Sequence, residues 1–134
     1  MAKLRHIAIA TSDPEATARF YREAFEFEEV GRTDAPLGTA IYLSDGTLNI
    51  AIVRFKTDQL GRGLDYVGLH HIGFVVADVD RASARLAELG APCLVARPEK
   101  PKGFFEVKHR GPDGVVLDLS DHPWVGSAPI DQVG

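Results

Sequence analysis

Two histidines stand at equivalent points of an internal repeat. His6 opens the run His-Ile-Ala-Ile-Ala that leads to Asp13, and His71 opens the run His-Ile-Gly-Phe-Val that leads to Asp78, at a constant offset of 65 residues. Imidazoles are common ligands for borderline divalent metals. A duplicated module that closes on itself brings two distant histidines to one point, so the repeat predicts a metal site shared by both halves of the chain.

The alternation of side chains around these histidines predicts that each lies on a half-buried strand and faces a concave surface. The same alternation turns Asn49 and Asp118 toward that surface. We predict that His6, His71 and Asp118 hold one divalent ion per chain, and Zn, Fe, Co, Ni and Mn all suit such a ligand set. Asn49 is a weaker fourth contact, because its amide oxygen carries no charge. A lone strand histidine is more often a hydrogen-bonded structural residue; the paired positions favour the metal site.

Five further residues are candidates for catalysis or substrate binding. Glu106 is the candidate general base; the alternative is an exposed edge-strand carboxylate paired with a lysine. Tyr42 and Arg54 are candidates for substrate binding, although solvent exposure explains both equally well. His109 is a further candidate, but it alternates with Glu106 and cannot share its cavity in a regular strand. Trp124 either covers the mouth of the cavity or packs at an interface.

Composition limits the class of protein. The 134 residues fit one domain, residues 1–134, and 15 basic against 19 acidic side chains give a net charge of −4. Basic residues are scattered, which argues against nucleic acid as a partner. A single cysteine, Cys93, excludes an internal disulfide. No apolar run approaches the roughly 20 residues that span a bilayer, and the N-terminus lacks a signal-peptide pattern. We expect a cytoplasmic protein with no membrane partner.

Each half of the chain has the pattern of a strand, a helix and further strands. Asp13 is the predicted cap of the first helix, and Asp78 or Asp80 caps the second. His70 is expected to face away from its neighbour His71. The predicted strands span residues 4–10, 39–43, 47–55, 71–76, 93–96, 103–110 and 115–120. This order predicts an α+β fold with module one at about 4–58, module two at about 68–121, and a C-terminal tail, 122–134, that is loose from residue 128.

Three segments resemble the vicinal oxygen chelate superfamily, which includes glyoxalase I, extradiol dioxygenases, fosfomycin-resistance proteins and methylmalonyl-CoA epimerase. The segments are Gly68–Asp78, the helix opening Asp13-Pro14-Glu15-Ala16, and Pro112–Leu119. The resemblance covers residues 4 to about 120. It implies two tandem βαβββ modules that form a partly open, glyoxalase-like barrel around a divalent metal, often within a homodimer.

The resemblance also assigns ligand positions. The two histidines of the family fall on His6 and His71, its last-strand glutamate falls on Asp118, and a glutamate or glutamine of the first module falls on Asn49. The run Leu69-His70-His71-Ile72 is most similar to methylmalonyl-CoA epimerase. The glutamate base that this subfamily carries after its first helix has no equivalent in residues 33–39, so epimerase activity does not follow.

These observations favour a metal-dependent enzyme. The leading hypothesis is an isomerase or lyase that acts on a small oxygenated substrate through a metal-stabilised enolate. One alternative is an Fe(II) extradiol-type dioxygenase, with His109 as its acid-base residue. The other is a metal-free drug-binding or resistance protein of the same fold, against which the intact His6 and His71 argue.

Overall fold

The computed structural model describes residues 2–130, and both halves fold in the same order of strand, helix and three strands. Module one comprises β1 (Lys3–Ala10), α1 (Pro14–Phe25), β2 (Glu28–Ala35), β3 (Gly38–Ser44) and β4 (Asn49–Phe55). Module two comprises β5 (Gly68–Val75), α2 (Val79–Glu88), β6 (Cys93–Val95), β7 (Val107–Arg110) and β8 (Val116–Ser120). The predicted α+β fold with two βαβββ modules is confirmed.

The two modules join edge to edge in one eight-stranded open sheet, in the order β2-β3-β4-β1-β5-β8-β7-β6. β1 and β5 pair antiparallel at its centre, where Ile7 lies opposite Ile72, its own counterpart in the repeat. A pseudo-twofold axis therefore passes between these two residues. His6 lies one step from the axis, opposite Gly73, and His71 lies one step away on the other side. Both histidines share one face of the sheet.

The two helices begin where their caps predict. Asp13 Oδ1 accepts a hydrogen bond from the Ala16 N–H at 3.1 Å, and Asp78 Oδ1 accepts one from the Arg81 N–H at 3.0 Å. The second bond decides between the two predicted caps of α2 in favour of Asp78. Each cap contributes about 1 kcal/mol to helix stability. Within residues 2–130, no helix has the length and hydropathy to cross a bilayer.

Each helix covers its own small hydrophobic core on one face of the sheet. The core under α1 contains Ala18, Ile41, Leu43, Ile50 and Ile52. The core under α2 contains Val76, Val79, Val107 and Leu119. Because successive residues of a strand point to opposite faces, these apolar residues leave their neighbours free to line the other, concave face.

A bulge in each central strand departs from the regular alternation. The register of β1 against β5 skips Arg5 in β1 and His70 in β5, and these two residues are also related by the 65-residue offset. His70 was expected to face away from His71, which is wrong. The extra residue of a bulge re-aims neighbouring side chains, and His70 lies buried beside His71, with their Nδ1 atoms 2.8 Å apart.

Strand boundaries differ from the prediction at the edges of the sheet. β2 lies in a region predicted mostly as loop, because an exposed edge strand lacks the apolar alternation that marks a half-buried one. The strand predicted from residue 103 begins only at Val107, and β6 ends at Val95.

The C-terminal segment is ordered beyond the last strand. The Ala128 N–H donates to Thr47 O at 3.0 Å, and Arg5 Nε donates to Ala128 O at 3.0 Å. The prediction of a loose tail from residue 128 is therefore wrong for Ala128, and residues 131–134 lie outside the described part of the chain. These contacts fold the segment back across module one, at one side of the concave face.

Candidate metal centre

Four buried or half-buried side chains meet on the concave face. His6, His71, Glu106 and Asp118 each offer one ligand atom, and these atoms all lie within 4.8 Å of one another. The two Nε2 atoms are 3.0 Å apart, and His71 Nε2 lies 3.2 Å from Asp118 Oδ2. Two ligands bound at about 2.0–2.1 Å to one ion, at octahedral or tetrahedral angles, are separated by about 2.8–3.4 Å. The spacings of His71 Nε2 to His6 Nε2 and to Asp118 Oδ2 fit three ligands of a single divalent ion.

Neighbouring residues orient both imidazoles toward each other. His6 Nδ1 lies 2.7 Å from Asn49 Oδ1, an atom that only accepts hydrogen bonds. The proton of His6 therefore lies on Nδ1, which leaves the lone pair of Nε2 free for a metal. Nδ1 of His71 makes the corresponding contact with His70. Such partners fix the tautomer and ring orientation of metal-binding histidines.

Asn49 occupies a different position from the one predicted. Its Oδ1 is engaged by His6, and its Nδ2 donates to Val125 O at 2.8 Å. Both ends of the amide are thus satisfied away from the ion, which corrects the prediction of a fourth ligand. Asn49 is fully buried, and its contacts assign it to the orientation of His6.

The Asn49→Ala variant is expected to weaken zinc affinity by about 10–100-fold, the usual cost of losing a partner that orients a ligand. A competition titration against a chromophoric chelator measures this loss. Ser44→Ala is the matched control, because Ser44 Oγ donates to Gly126 O at 2.7 Å and so holds the same C-terminal segment without touching His6. Equal losses in the two variants would contradict the orienting role of Asn49.

Asp118 is a buried carboxyl group of the cluster. The residue is fully buried, and its Oδ2 accepts a hydrogen bond from Lys108 Nζ at 2.7 Å. No hydrogen bond of ordinary geometry reaches its Oδ1 among the described residues, although the carboxyl groups of Asp118 and Glu106 are close enough to share a hydrogen bond. Asp118 thus places a buried carboxyl group, with Oδ2 3.2 Å from His71 Nε2, beside two imidazoles, a donor set that suits a divalent cation chemically.

Burial keeps both imidazoles neutral, the form that binds metals. It lowers the pKa of His6 despite the nearby Glu106 carboxylate. Burial likewise lowers the pKa of His71 far below its usual range, and the positive charge of Lys108 lowers it further. Neither histidine has to lose a proton at neutral pH before it binds a cation.

The pKa values of the two carboxyl groups, Asp118 and Glu106, are shifted in opposite directions. Burial raises the pKa of Asp118, and the neighbouring Glu106 charge adds to that effect against the opposing pull of Lys108. Burial also opposes ionisation of Glu106, but the Lys108 charge and hydrogen bonding outweigh it and lower the pKa of Glu106. A divalent cation beside the pair would favour the ionised form of both groups.

Glu106 is held by the tryptophan that was predicted to bind substrate. Its Oε2 accepts a hydrogen bond from Trp124 Nε1 at 2.9 Å. The indole stacks on the His6 ring, with centroids 4.8 Å apart and planes 2° from parallel. Glu106 is thus neither fully exposed nor only paired with a lysine. Glu106 was predicted as the general base but not as a member of the ligand cluster, because it lies just before β7, where strand alternation does not fix direction.

A cavity of about 630 Å³ opens above the cluster. Two of the predicted substrate-binding residues, Tyr42 and Trp124, line it. Most of the remaining wall is apolar and is made by Ala8, Ala35, Leu37, Ala40, Ala51, Val53, Phe55, Phe104, Pro123 and Val125. The arrangement is an apolar pocket with a polar floor, typical of small-molecule sites.

Two predicted substrate-binding residues lie outside this cavity. Arg54 is exposed and lines a neighbouring depression. His109 is fully buried on the helix side of the sheet, where its Nδ1 lies 2.8 Å from Ala91 O and its Nε2 lies 2.6 Å from Ser83 Oγ. These contacts correct the prediction for His109, because regular alternation from Lys108 turns it toward α2.

Comparison with known proteins agrees with this architecture. A sequence model of the Glyoxalase/Bleomycin resistance protein/Dioxygenase superfamily matches residues 3–119. The chain belongs to this superfamily. The predicted resemblance to the vicinal oxygen chelate group is thereby confirmed. No curated protein matches the chain significantly.

Solved structures with low sequence identity share the fold. A hypothetical protein from Bacillus halodurans has a TM-score of 0.74 and 19% identity, covering 92% of this chain and 96% of the other. Methylmalonyl-CoA epimerase in complex with methylmalonyl-CoA and NH4+ has a TM-score of 0.73 and 23% identity, covering 96% and 99%. A variant of the Streptomyces coelicolor epimerase with 2-nitronate-propionyl-CoA has a TM-score of 0.74 and 24% identity, covering 95% and 98%.

Proposed function

We propose that this chain is a divalent-metal-dependent enzyme of the vicinal oxygen chelate type, acting on a small oxygenated substrate as an isomerase or lyase. The observation that carries the proposal is the convergence of His6, His71, Glu106 and Asp118; the first three of these residues line the apolar cavity. When bound there, a divalent ion would act as a Lewis acid toward substrate oxygens and stabilise an enolate.

In this proposal His6, His71 and Asp118 hold the ion, and Glu106 moves the proton. The lowered pKa of Glu106 keeps its carboxylate ionised, and the Trp124 N–H fixes one of its oxygens. A base must lie within reach of the proton that it removes, and Glu106 is already at the floor of the cavity.

Module one offers no competing base at this cavity. In residues 33–39, Thr33, Ala35, Leu37 and Gly38 line the wall. The one carboxylate of that segment, Asp34, forms an ion pair with Lys56 and is not part of the cavity lining. The base therefore comes from module two.

Specific contacts argue against both alternatives. An extradiol-type dioxygenase would need an acid-base histidine, and His109 is turned toward Ser83 on the helix side. A metal-free binding protein would suit the apolar walls. It would not account for the convergence of two buried imidazoles and two carboxyl groups within 4.8 Å of one another.

Proton exchange tests the proposal on a panel of candidate substrates. Protein loaded with Zn²⁺, Mn²⁺ or Co²⁺ is incubated in D₂O with 2-hydroxy and 2-oxo acids and with methylmalonyl-CoA, the ligand of one similar structure. NMR then follows deuterium incorporation at the carbon next to a carbonyl. Exchange that depends on the metal supports the proposal; its absence across the panel with every metal would contradict it.

The Glu106→Gln variant separates a base from a ligand. We expect it to retain its zinc and to lose about 10²–10⁴-fold in exchange rate, the usual contribution of a general base. Metal content and exchange rate are measured on the same preparation. A variant that loses its metal would instead make Glu106 a ligand.

We also propose that the protein is a cytoplasmic homodimer. The outer surface of α1 carries Phe20 and Phe25, which are 60% and 58% exposed. Exposed aromatic side chains of this kind are enriched at interfaces. Size-exclusion chromatography with light scattering tests the oligomeric state, and a monomer at micromolar concentration would contradict it.

A further inference from the structure

One cationic side chain lies inside the cavity. Lys108 is the only Lys or Arg among the described residues that line it. The side chain is 19% exposed, and its Nζ lies 2.7 Å from Asp118 Oδ2. The register of β7 against β8 places Lys108 directly opposite Asp118, so the sheet itself fixes the ammonium beside the candidate metal site.

The lysine has bonding capacity beyond this pair. An ammonium donates three hydrogen bonds, and the contact with Asp118 is the one hydrogen bond that the Lys108 ammonium makes within residues 2–130. Two N–H groups therefore remain for an acceptor in the cavity. A ligand bound to the metal would lie next to them.

The charges of the site favour an anionic ligand. With the histidines neutral, the carboxylates of Glu106 and Asp118 carry two negative charges and Lys108 carries one positive charge. A divalent ion then leaves the floor of the cavity with one excess positive charge. In a pocket with mostly apolar walls, such a charge is best compensated by a monoanion in direct contact.

We propose that Lys108 determines specificity by binding the negative charge of the substrate, a 2-hydroxy or 2-oxo carboxylate with an apolar substituent. The inference rests on the proposed metal site and adds the substrate class to it. The ammonium of Lys108 would bind the carboxylate, and the substituent would lie against the apolar wall, which includes Phe104 and Trp124.

Matched pairs of anionic and neutral chelators test the proposal. The probes are lactate and lactamide, and mandelate and mandelamide, titrated by calorimetry into zinc-loaded protein. The wild type is expected to prefer each acid over its amide by about 10-fold or more, because a hydrogen bond between two charged groups is stronger than one to a neutral amide. The smaller pair, lactate and lactamide, shows whether a lack of mandelate binding is due only to the size of the ligand.

Variants at Lys108 test whether the preference for acids depends on its ammonium group. Lys108→Met is expected to reduce mandelate affinity by about 10–100-fold and mandelamide affinity by less than about 3-fold. Lys108→Arg retains the charge and is expected to restore most of the preference. Lys102→Met, an exposed lysine before β7, is the control and should behave as wild type. The preference of the wild type for acids over amides is measured without any variant, so it tests the proposal even if a variant does not fold.

The outcomes separate this inference from the proposed function. Zinc affinity is measured first, through the fluorescence of Trp124, the single tryptophan, which stacks on His6. Wild-type protein that binds no divalent metal would overturn the proposed function. Wild-type protein that binds zinc but shows no preference for the acids would overturn the role of Lys108 alone. So would a Lys108→Met variant whose affinities for the acid and for the amide fall equally.

Discussion

Replacing His71 by alanine is expected to weaken zinc binding by about 10²–10³-fold. Zinc sites with four ligands bind with about 10–16 kcal/mol, so one ligand contributes roughly 2.5–4 kcal/mol. His71 is central to the cluster, since its Nε2 lies within 3.2 Å of both His6 Nε2 and Asp118 Oδ2. Competition titration measures the affinity, and circular dichroism checks that the variant is folded.

The control for this variant is His122→Ala. His122 pairs with Asp121, has a side chain that is 68% exposed, and does not line the cavity. Its removal should leave zinc affinity within about 2-fold of wild type. If both variants bound zinc like the wild type, His71 would be a structural residue.

The second large effect is expected at Gly73, which lies opposite His6 at the centre of the sheet. A Cβ atom there would lie 2.9 Å from His6 Cβ and 2.9 Å from Trp124 Cζ2. Both neighbours belong to the site, and neither offers a flexible end that can move aside. Gly73→Ala is therefore expected to lower the free energy of unfolding by about 1–3 kcal/mol, as other overpacked positions do, and to weaken zinc binding by displacing His6.

Gly31→Ala is the matched control for Gly73→Ala. A Cβ at Gly31, in the edge strand β2, would meet the Tyr42 ring at an ordinary 3.5 Å. Reduced freedom of the unfolded chain should make this variant neutral or more stable by about 0.4–1 kcal/mol. Urea unfolding of both variants compares the two. If Gly73→Ala stabilised the protein as much as Gly31→Ala, the space around Gly73 beside His6 and Trp124 would have to be large enough for a methyl group.

The repeat made much of the fold predictable from sequence. Alternation around His6 and His71 placed both on strands of one face, and Asp13 and Asp78 marked the starts of the helices. These signals are local, because strand period and helix capping depend on residues close together in the chain. The pairing of β1 with β5 then follows from the pseudo-symmetry of the two modules.

The parts of the site that sequence did not predict depend on irregular backbone or long-range contacts. A bulge brings His70 beside His71, and nothing in the local sequence marks it. Glu106 reaches the cluster from an irregular segment before β7. Asn49 is held between His6 and the C-terminal segment, whose course is fixed by hydrogen bonds to module one rather than by its own pattern.

Anomalous diffraction from crystals of zinc-loaded protein tests the metal site most directly. We expect one peak per chain, about 2.0–2.2 Å from the Nε2 atoms of His6 and His71 and from a carboxylate oxygen of Asp118. We also expect Lys108 to remain bonded to the Asp118 carboxylate. A peak elsewhere, no peak between the two histidines, or an Asp118 oxygen more than about 3.5 Å from the ion would contradict the proposed site.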